Sequence, residues 1–183
     1  MGIETEIKLK VESLEGLEDR LTELGAAFVA EQVQTDCYFD DCSRTLTGSD
    51  RCLRLRRLRV GNTDRNLLTY KGAKEEHELK RRQEIEIEVE DRNSAVELLC
   101  ALGYEEVLTF EKKRRVWHLE ECELALDELP LLGSFVEIEG PDTDNIREVQ
   151  GSLGLEHLGH VPESYASLVA ERVRQESCKQ EKA

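Results

Sequence analysis

The sequence predicts an α+β fold in which a closed antiparallel β-barrel of about eight strands forms a tunnel, with helices packed on its outside. Three observations carry that expectation. Segments of strand length place charged residues at every second position, which gives each strand one ionic face. The same alternation recurs along most of the chain, and so many ionic faces balance one another best around a shared enclosed space. Between the strands lie segments with apolar residues at helical spacing, suited to covering the barrel from outside.

Composition limits what such a tunnel can serve. The chain has 183 residues, enough for one domain, expected over residues 1–174 with a polar, fraying tail at 175–183. It carries 25 Lys and Arg against 40 Asp and Glu, a formal charge of −15, which disfavours nucleic acid and anionic membranes as partners. An anionic ligand would need a local concentration of Arg and Lys, or bound cations. The sequence has no apolar run of about 18 residues and no secretion signal at its start, so a soluble, cytoplasmic protein is expected. The six cysteines form no CxxC pair or zinc-type cluster and are expected to be reduced.

Residues 2–11 open the barrel: Glu4, Glu6 and Lys8 line one face, and Ile3, Ile7 and Leu9 lie on or near the other. A helix follows, with Ser13 as N-cap, Leu14, Leu17, Leu21 and Leu24 as its stripe and Gly25 as a left-handed C-cap. The second strand runs from Ala27 to Asp40, with Tyr38 and Phe39 expected in the core, the alternative being that they stack on a base. The segment from Asp41 to Asp50 reads as a loop. In the strand from Arg51 to Val60, Arg54 and Arg56 share a face opposite Leu53 and Leu55. After a Gly61-Asn62 turn, Leu67, Thr69 and Lys71 alternate with Leu68 and Tyr70, and Gly72 ends the strand. Residues 73–79 are polar and read as a mobile connection.

The next strand has the clearest alternation, with Arg82, Glu84, Glu86, Glu88 and Glu90 opposite Gln83, Ile85, Ile87 and Val89. Ser94 is expected to cap a helix carrying Ala95, Val96, Leu98, Leu99 and Leu102, closed by Gly103. The strand from Glu106 to Leu119 splits its basic run between two faces, Lys112 and Arg114 on one and Lys113 and Arg115 on the other, which argues against a nucleic-acid patch. Cys122 to Leu129 carries Asp127, and a turn at Leu132-Gly133 leads to a last strand with Phe135, Glu137 and Glu139 on one face. Asp142 or Thr143 caps a helix bearing Ile146, Val149 and Leu153, and Ser164 caps a final helix through Tyr165, Leu168, Val169 and Val173.

Taken together, these elements resemble the CYTH, or triphosphate tunnel metalloenzyme, superfamily. Glu4-Thr5-Glu6-Ile7-Lys8 is similar to its ExExK signature. The likeness continues in order through Arg54-Leu55-Arg56, Thr69-Tyr70-Lys71-Gly72, Arg82-Gln83-Glu84-Ile85-Glu86, Lys112-Lys113-Arg114, Leu126-Asp127 and Leu132-Gly133-Ser134-Phe135-Val136-Glu137-Ile138-Glu139. A lone ExExK is weak evidence, but ordered elements in matching strand phase over nearly the whole chain are specific. Ser164-Tyr165 with Leu168 resembles the branch that contains the class IV adenylyl cyclases, while Ala73 stands where the family often has proline.

The resemblance implies a metal-dependent enzyme that processes a triphosphate inside the tunnel. By that likeness Glu4, Glu6, Asp127, Glu137 and Glu139 would hold Mg²⁺ or Mn²⁺, hard cations suited to carboxylate oxygen. Lys8, Arg54, Arg56, Lys71, Arg82, Lys112 and Arg114 would bind the triphosphate, and Glu84 and Glu86 would support either set. Lys8, Glu137 and Glu139 would carry the catalytic roles, Lys8 by positioning or deprotonating a nucleophile. The first reading is conversion of ATP to cyclic AMP and pyrophosphate; the alternatives are hydrolysis of inorganic triphosphate, thiamine triphosphate or a nucleoside triphosphate, and non-catalytic binding. A ligand-free network of internal ion pairs is a further alternative, since the basic and acidic sets named here are equal in number. His77, His118, His157 and His160 have no paired spacing and receive no role, base recognition has no signature, and cyclase relatives suggest a homodimer.

Overall fold

The charged alternation resolves into eight strands in the computed structural model, which describes residues 2–180. They are β1 (Gly2–Val11), β2 (Ala27–Asp41), β3 (Cys52–Val60), β4 (Thr63–Lys71), β5 (Lys80–Val89), β6 (Tyr104–Leu119), β7 (Cys122–Leu129) and β8 (Gly133–Glu139). Every neighbouring pair is antiparallel, and the order β1-β5-β4-β3-β2-β6-β7-β8 closes where β1 pairs with β8. Five helices lie outside: α1 (Leu17–Glu23), α2 (Thr45–Gly48), α3 (Arg92–Ala101), α4 (Thr143–Ser152) and α5 (Tyr165–Gln180). The expected tunnel with external helices is therefore present.

The largest part of the apolar core sits outside the barrel wall. Strand alternation turns Ile7 and Leu9 of β1, Leu124 and Leu126 of β7, and Val136 and Ile138 of β8 away from the charged face. There they are buried with Leu21 of α1 and Ile146 and Val149 of α4. A second cluster joins Cys37, Phe39 and Leu55 to Leu99 of α3; a third lies on the inner face, where Leu129 and Phe135, in phase with Asp127 and Glu137, meet Tyr165 and Val169 of α5. Each such side chain contributes roughly 1.5–3 kcal/mol on burial, so most of the stability is supplied outside the wall, and the ionic interior is apolar only where α5 docks and beside β6.

Local chemistry shifts several expected boundaries. Ser13 is not the N-cap of α1: its hydroxyl accepts from the Glu15 N–H at 3.0 Å in a local turn, and Gly16, at φ 80°, precedes the helix. Nor does Ser94 cap α3, because the Asp91 carboxylate lies nearer the start and accepts from the N–H groups of Asn93 and Ser94 and from the Ser94 hydroxyl. The segment after Asp41 is not all loop. Buried Asp40 accepts from the N–H groups of Leu46 and Thr47 and winds the short α2.

The connection before β5 is pinned rather than free. Leu79 is buried in the main core, and the Glu75 N–H donates to the Arg81 carbonyl at 2.8 Å. α5 runs to Gln180, so the polar tail expected from Gln175 begins within it, and 181–183 lie outside the described residues. All six cysteines are unpaired. Among the described residues no helix is long and apolar enough to cross a membrane.

Candidate active site

Strand register sets opposite charges side by side on the inner wall. Glu4 pairs with Arg82 and Glu6 with Lys80 between β1 and β5; Lys8 pairs with Glu137 between β1 and β8. Asp36 faces Arg56 between β2 and β3, Lys71 faces Glu84 between β4 and β5, and Arg114 faces Asp127 between β6 and β7. Apart from fully buried Asp127, these charged residues line one cavity of about 560 Å³ together with Arg54, Glu86, Lys112 and Glu139.

Two buried carboxylates organise the basic side chains. Asp36, 1 % exposed, receives Nε and Nη2 of Arg56 at 2.6 and 2.8 Å, with Arg54 at 4.0 Å. Burial alone would raise its carboxyl, but the Arg56 and Arg54 guanidiniums override that and hold it well below the usual range. Asp127 accepts from Arg114 at 2.7 Å, Lys112 at 3.1 Å and the Tyr165 hydroxyl at 2.8 Å. Burial opposes its charge too, and Arg114 and Lys112 overcome it. Lys112 is itself pushed down to about 7, by burial first and then by neighbouring Arg114.

Tyr165, the first residue of α5, ties that helix to the site. Its ring centroid lies 4.1 Å from Lys8 Nζ and 4.5 Å from Lys112 Nζ, so an electron-rich face meets two ammonium groups. Lys8 also reaches Glu137 at 3.3 Å and donates to the Glu163 carbonyl at 2.9 Å. His160 accepts the Lys8 backbone N–H through Nδ1, which fastens the segment before α5 to β1.

Pairing across the interior is uneven. Glu137 is bound by Lys8 and Arg114, Glu6 by Lys80, and Glu4 by Lys71, which also reaches Glu84 at 2.9 Å. Arg54 donates to Thr69 at 3.2 Å and lies 3.6 Å from Glu86, yet its buried Nε has no partner. Arg82, 4 % exposed, also keeps a buried Nε unsatisfied and has no acid within ion-pair distance among the described residues. At the acidic side, loss of hydration and then the charges of Glu4 and Glu6 push solvent-accessible Glu139 up to about 7. Crowded carboxylates on one side and unsatisfied guanidinium nitrogens on the other are suited to a hard cation and a polyanion together.

Residues 2–157 match the CYTH domain family. The chain belongs to the CYTH domain family. A Methanocaldococcus jannaschii protein provisionally named an adenylate cyclase is 34% identical over 143 residues, covering 78% of this chain and 79% of that one. The solved structure of the PH1819 protein from Pyrococcus horikoshii OT3 superposes with a TM-score of 0.79 at 30% identity, over 92% of this chain and 99% of that one. A Hippeastrum protein described as a provisional adenylyl cyclase with a dominant triphosphatase activity shares the fold at a TM-score of 0.68 and 18% identity, over 94% of this chain and 96% of that one.

Within this CYTH barrel the seven expected triphosphate ligands all reach the cavity. The five expected metal carboxylates divide: Glu4, Glu6 and Glu139 are mutual neighbours, whereas Asp127 and Glu137 are held by Arg114 and the lysines. Among the described residues no three acid, His or Cys side chains stand at metal-ligand geometry, because the carboxylates are turned to basic partners. Glu84 and Glu86 orient Lys71 and Arg54. Three contributors were not assigned from sequence, Asp36, Lys80 and Tyr165, and a fourth, Tyr38, was expected in the core in preference to a stacking role. The phase of β2 and β5 carries Asp36 and Lys80 inward, a signal available in the alternation; the position of Tyr165 depends on how α5 docks.

Proposed function

We propose that this protein is a divalent-metal-dependent enzyme acting on a triphosphate held in the tunnel, converting ATP to cyclic AMP and pyrophosphate. The observation that carries this reading is the uneven interior pairing. Arg54 and Arg82 keep unsatisfied nitrogens at the same cavity that gathers Glu4, Glu6 and Glu139. A ligand-free ion network would gain most by satisfying every buried charge, and this one does not.

Arg54, Arg82, Lys112 and the Asp36-anchored Arg56 would hold phosphate oxygens, the arginines through forked donors. Glu4, Glu6 and Glu139 would hold Mg²⁺ or Mn²⁺, with Glu137 beside them. When bound, that ion supplies neutralising charge at the phosphoryl oxygens. Lys8, fixed by Glu137, the Glu163 carbonyl and the Tyr165 ring, would orient the attacking oxygen. The ribose 3′-oxygen bonds to the α-phosphorus, the bond to the bridging oxygen breaks, pyrophosphate leaves with that oxygen, and the hydroxyl proton passes to solvent.

The provisional cyclase name of the 34% identical relative supports this assignment. The triphosphatase activity described for the Hippeastrum protein supports a second reading, in which water attacks the terminal phosphorus of inorganic, thiamine or nucleoside triphosphate. Ion-exchange analysis of products from ATP and from tripolyphosphate, each with Mg²⁺ and with Mn²⁺ and beside Glu137→Ala, tests both. Cyclic AMP with pyrophosphate is the expected result. Orthophosphate without cyclic AMP replaces it with the hydrolase reading; silence with both substrates removes the cyclase and moves the assay to thiamine triphosphate, and no turnover there removes the hydrolase as well.

A further inference from the structure

Tyr38 is placed where chemistry at the phosphates makes no use of it. Its neighbours across the sheet are Arg54 on β3 and Leu108 on β6. Phe110, two residues along β6, stacks on its ring with centroids 5.7 Å apart and planes 18° apart. Tyr38 lines the cavity and Phe110 does not, so Phe110 backs one face of a ring that borders the open space. Its sequence neighbour Phe39 behaves differently: it is 2 % exposed and enclosed in the cluster beneath α3. The expectation that both aromatics are core therefore holds for Phe39 alone.

Leu108, across the sheet from Tyr38, and Val107 and Cys52 near it line the same cavity and form an apolar patch apart from the one that Ala125, Tyr165, Ala166 and Ala170 supply. Bare polyphosphate gains nothing from such a surface, and leaving it in contact with water is unfavourable. A planar heteroaromatic ring covers it and stacks on the tyrosine. The register that sets Tyr38 opposite Arg54 also sets the ring-binding surface beside a guanidinium with an unsatisfied Nε. One molecule with a ring at one end and phosphates at the other can engage both.

We propose that Tyr38, backed by Phe110, is the stacking platform of a subsite for a planar heteroaromatic group, so that the substrate is a triphosphate ester of the nucleoside or thiamine type rather than inorganic triphosphate. This rests on the triphosphate reading and adds the other half of the substrate. Stacking on one aromatic side chain corresponds to about 5- to 150-fold in affinity.

The test is calorimetric titration of the full chain in EDTA, where turnover is not expected, with ATP, thiamine triphosphate and tripolyphosphate. The wild type should bind at least one ester more tightly than tripolyphosphate. In Tyr38→Leu, which keeps an apolar contact with Phe110, the ratio of that ester's affinity to tripolyphosphate's should fall about 5- to 150-fold. Tyr38→Phe should keep the ratio, since it keeps the ring. Whichever ester responds identifies the ring that is recognised. An unchanged ratio in Tyr38→Leu, or a wild type that prefers tripolyphosphate to both esters, overturns the subsite while leaving the triphosphate reading intact. Failure of all three ligands to bind the wild type overturns the triphosphate reading itself. Melting by circular dichroism establishes that each variant is folded, and Tyr38→Met takes the place of the leucine variant if that one is not.

Discussion

Replacing Asp36 with asparagine should be among the most damaging single changes in the barrel wall, although its sequence context marks it as an ordinary strand residue. The carboxylate is 1 % exposed and carries a two-pronged bond from Arg56, itself 8 % exposed, with Arg54 at 4.0 Å. Asparagine preserves the shape and removes the charge, which leaves two buried guanidiniums facing a neutral group. Breaking a buried pair in this way costs roughly 3–5 kcal/mol. With a urea slope of about 2 kcal/mol per molar, the unfolding midpoint should fall by roughly 2 M. The internal control is Glu88→Gln: Glu88 also takes a forked arginine, Arg65, at 2.9 and 2.7 Å, but both side chains are half in water. That pair is worth no more than about 1 kcal/mol. The carboxyl of Asp36 is depressed in the folded state, so its contribution is complete above the ordinary carboxylate value of 3.8 and is lost as pH falls below it. The gap between wild type and Asp36→Asn should therefore be constant from pH 5 to 7 and narrow below about pH 4. If Asp36→Asn loses no more stability than Glu88→Gln at pH 7, buried charge pairing is not what holds these arginines.

Three further outcomes follow from the same geometry. Arg82→Met keeps the side-chain stem but removes a buried charge that lacks an ion-pair partner, so stability should hold or rise while tripolyphosphate affinity, measured calorimetrically, falls about 10- to 150-fold; loss of both together would mean Arg82 is structural. Tyr165→Phe deletes the 2.8 Å bond to Asp127 yet leaves the ring against Lys8 and Lys112, and should cost roughly 1.5–3 kcal/mol in urea with a modest change in kcat. Tyr165→Leu removes the ring as well and should lower kcat further than KM changes; equal kcat values for the two variants would rule out positioning of the lysines by the ring. The carboxyl of Glu139 is raised from 4.5 to about 7, so the folded state holds the extra proton across that interval. Stability in EDTA should accordingly decline as pH rises from about 4.5 through about 7, by an amount tempered by solvent at this exposed residue, and Glu139→Gln should flatten the decline. A decline of the same size in that variant would assign it to another group.

Much of the barrel was legible in the chain because strand alternation is a local property. Glu4, Glu6 and Lys8 must share a face in any extended segment, as must Arg54 with Arg56 and Glu137 with Glu139, and closure follows from giving all those faces one interior. Cap positions were less legible, since Ser13 and Ser94 are good cap residues displaced by a glycine turn and by the stronger acceptor Asp91. What the sequence by itself determined was which residues point inward and their total charge, and with that a tunnel suited to an anion and a cation. Tertiary structure alone decided the pairing: that Asp36 anchors Arg56, that Asp127 serves Arg114 and Lys112 while Glu139 crowds Glu4 and Glu6, and that Tyr38 and Tyr165 join the wall. Pairing depends on strand order, register and helix docking, which bring together residues far apart in the chain, and no local period encodes those distances.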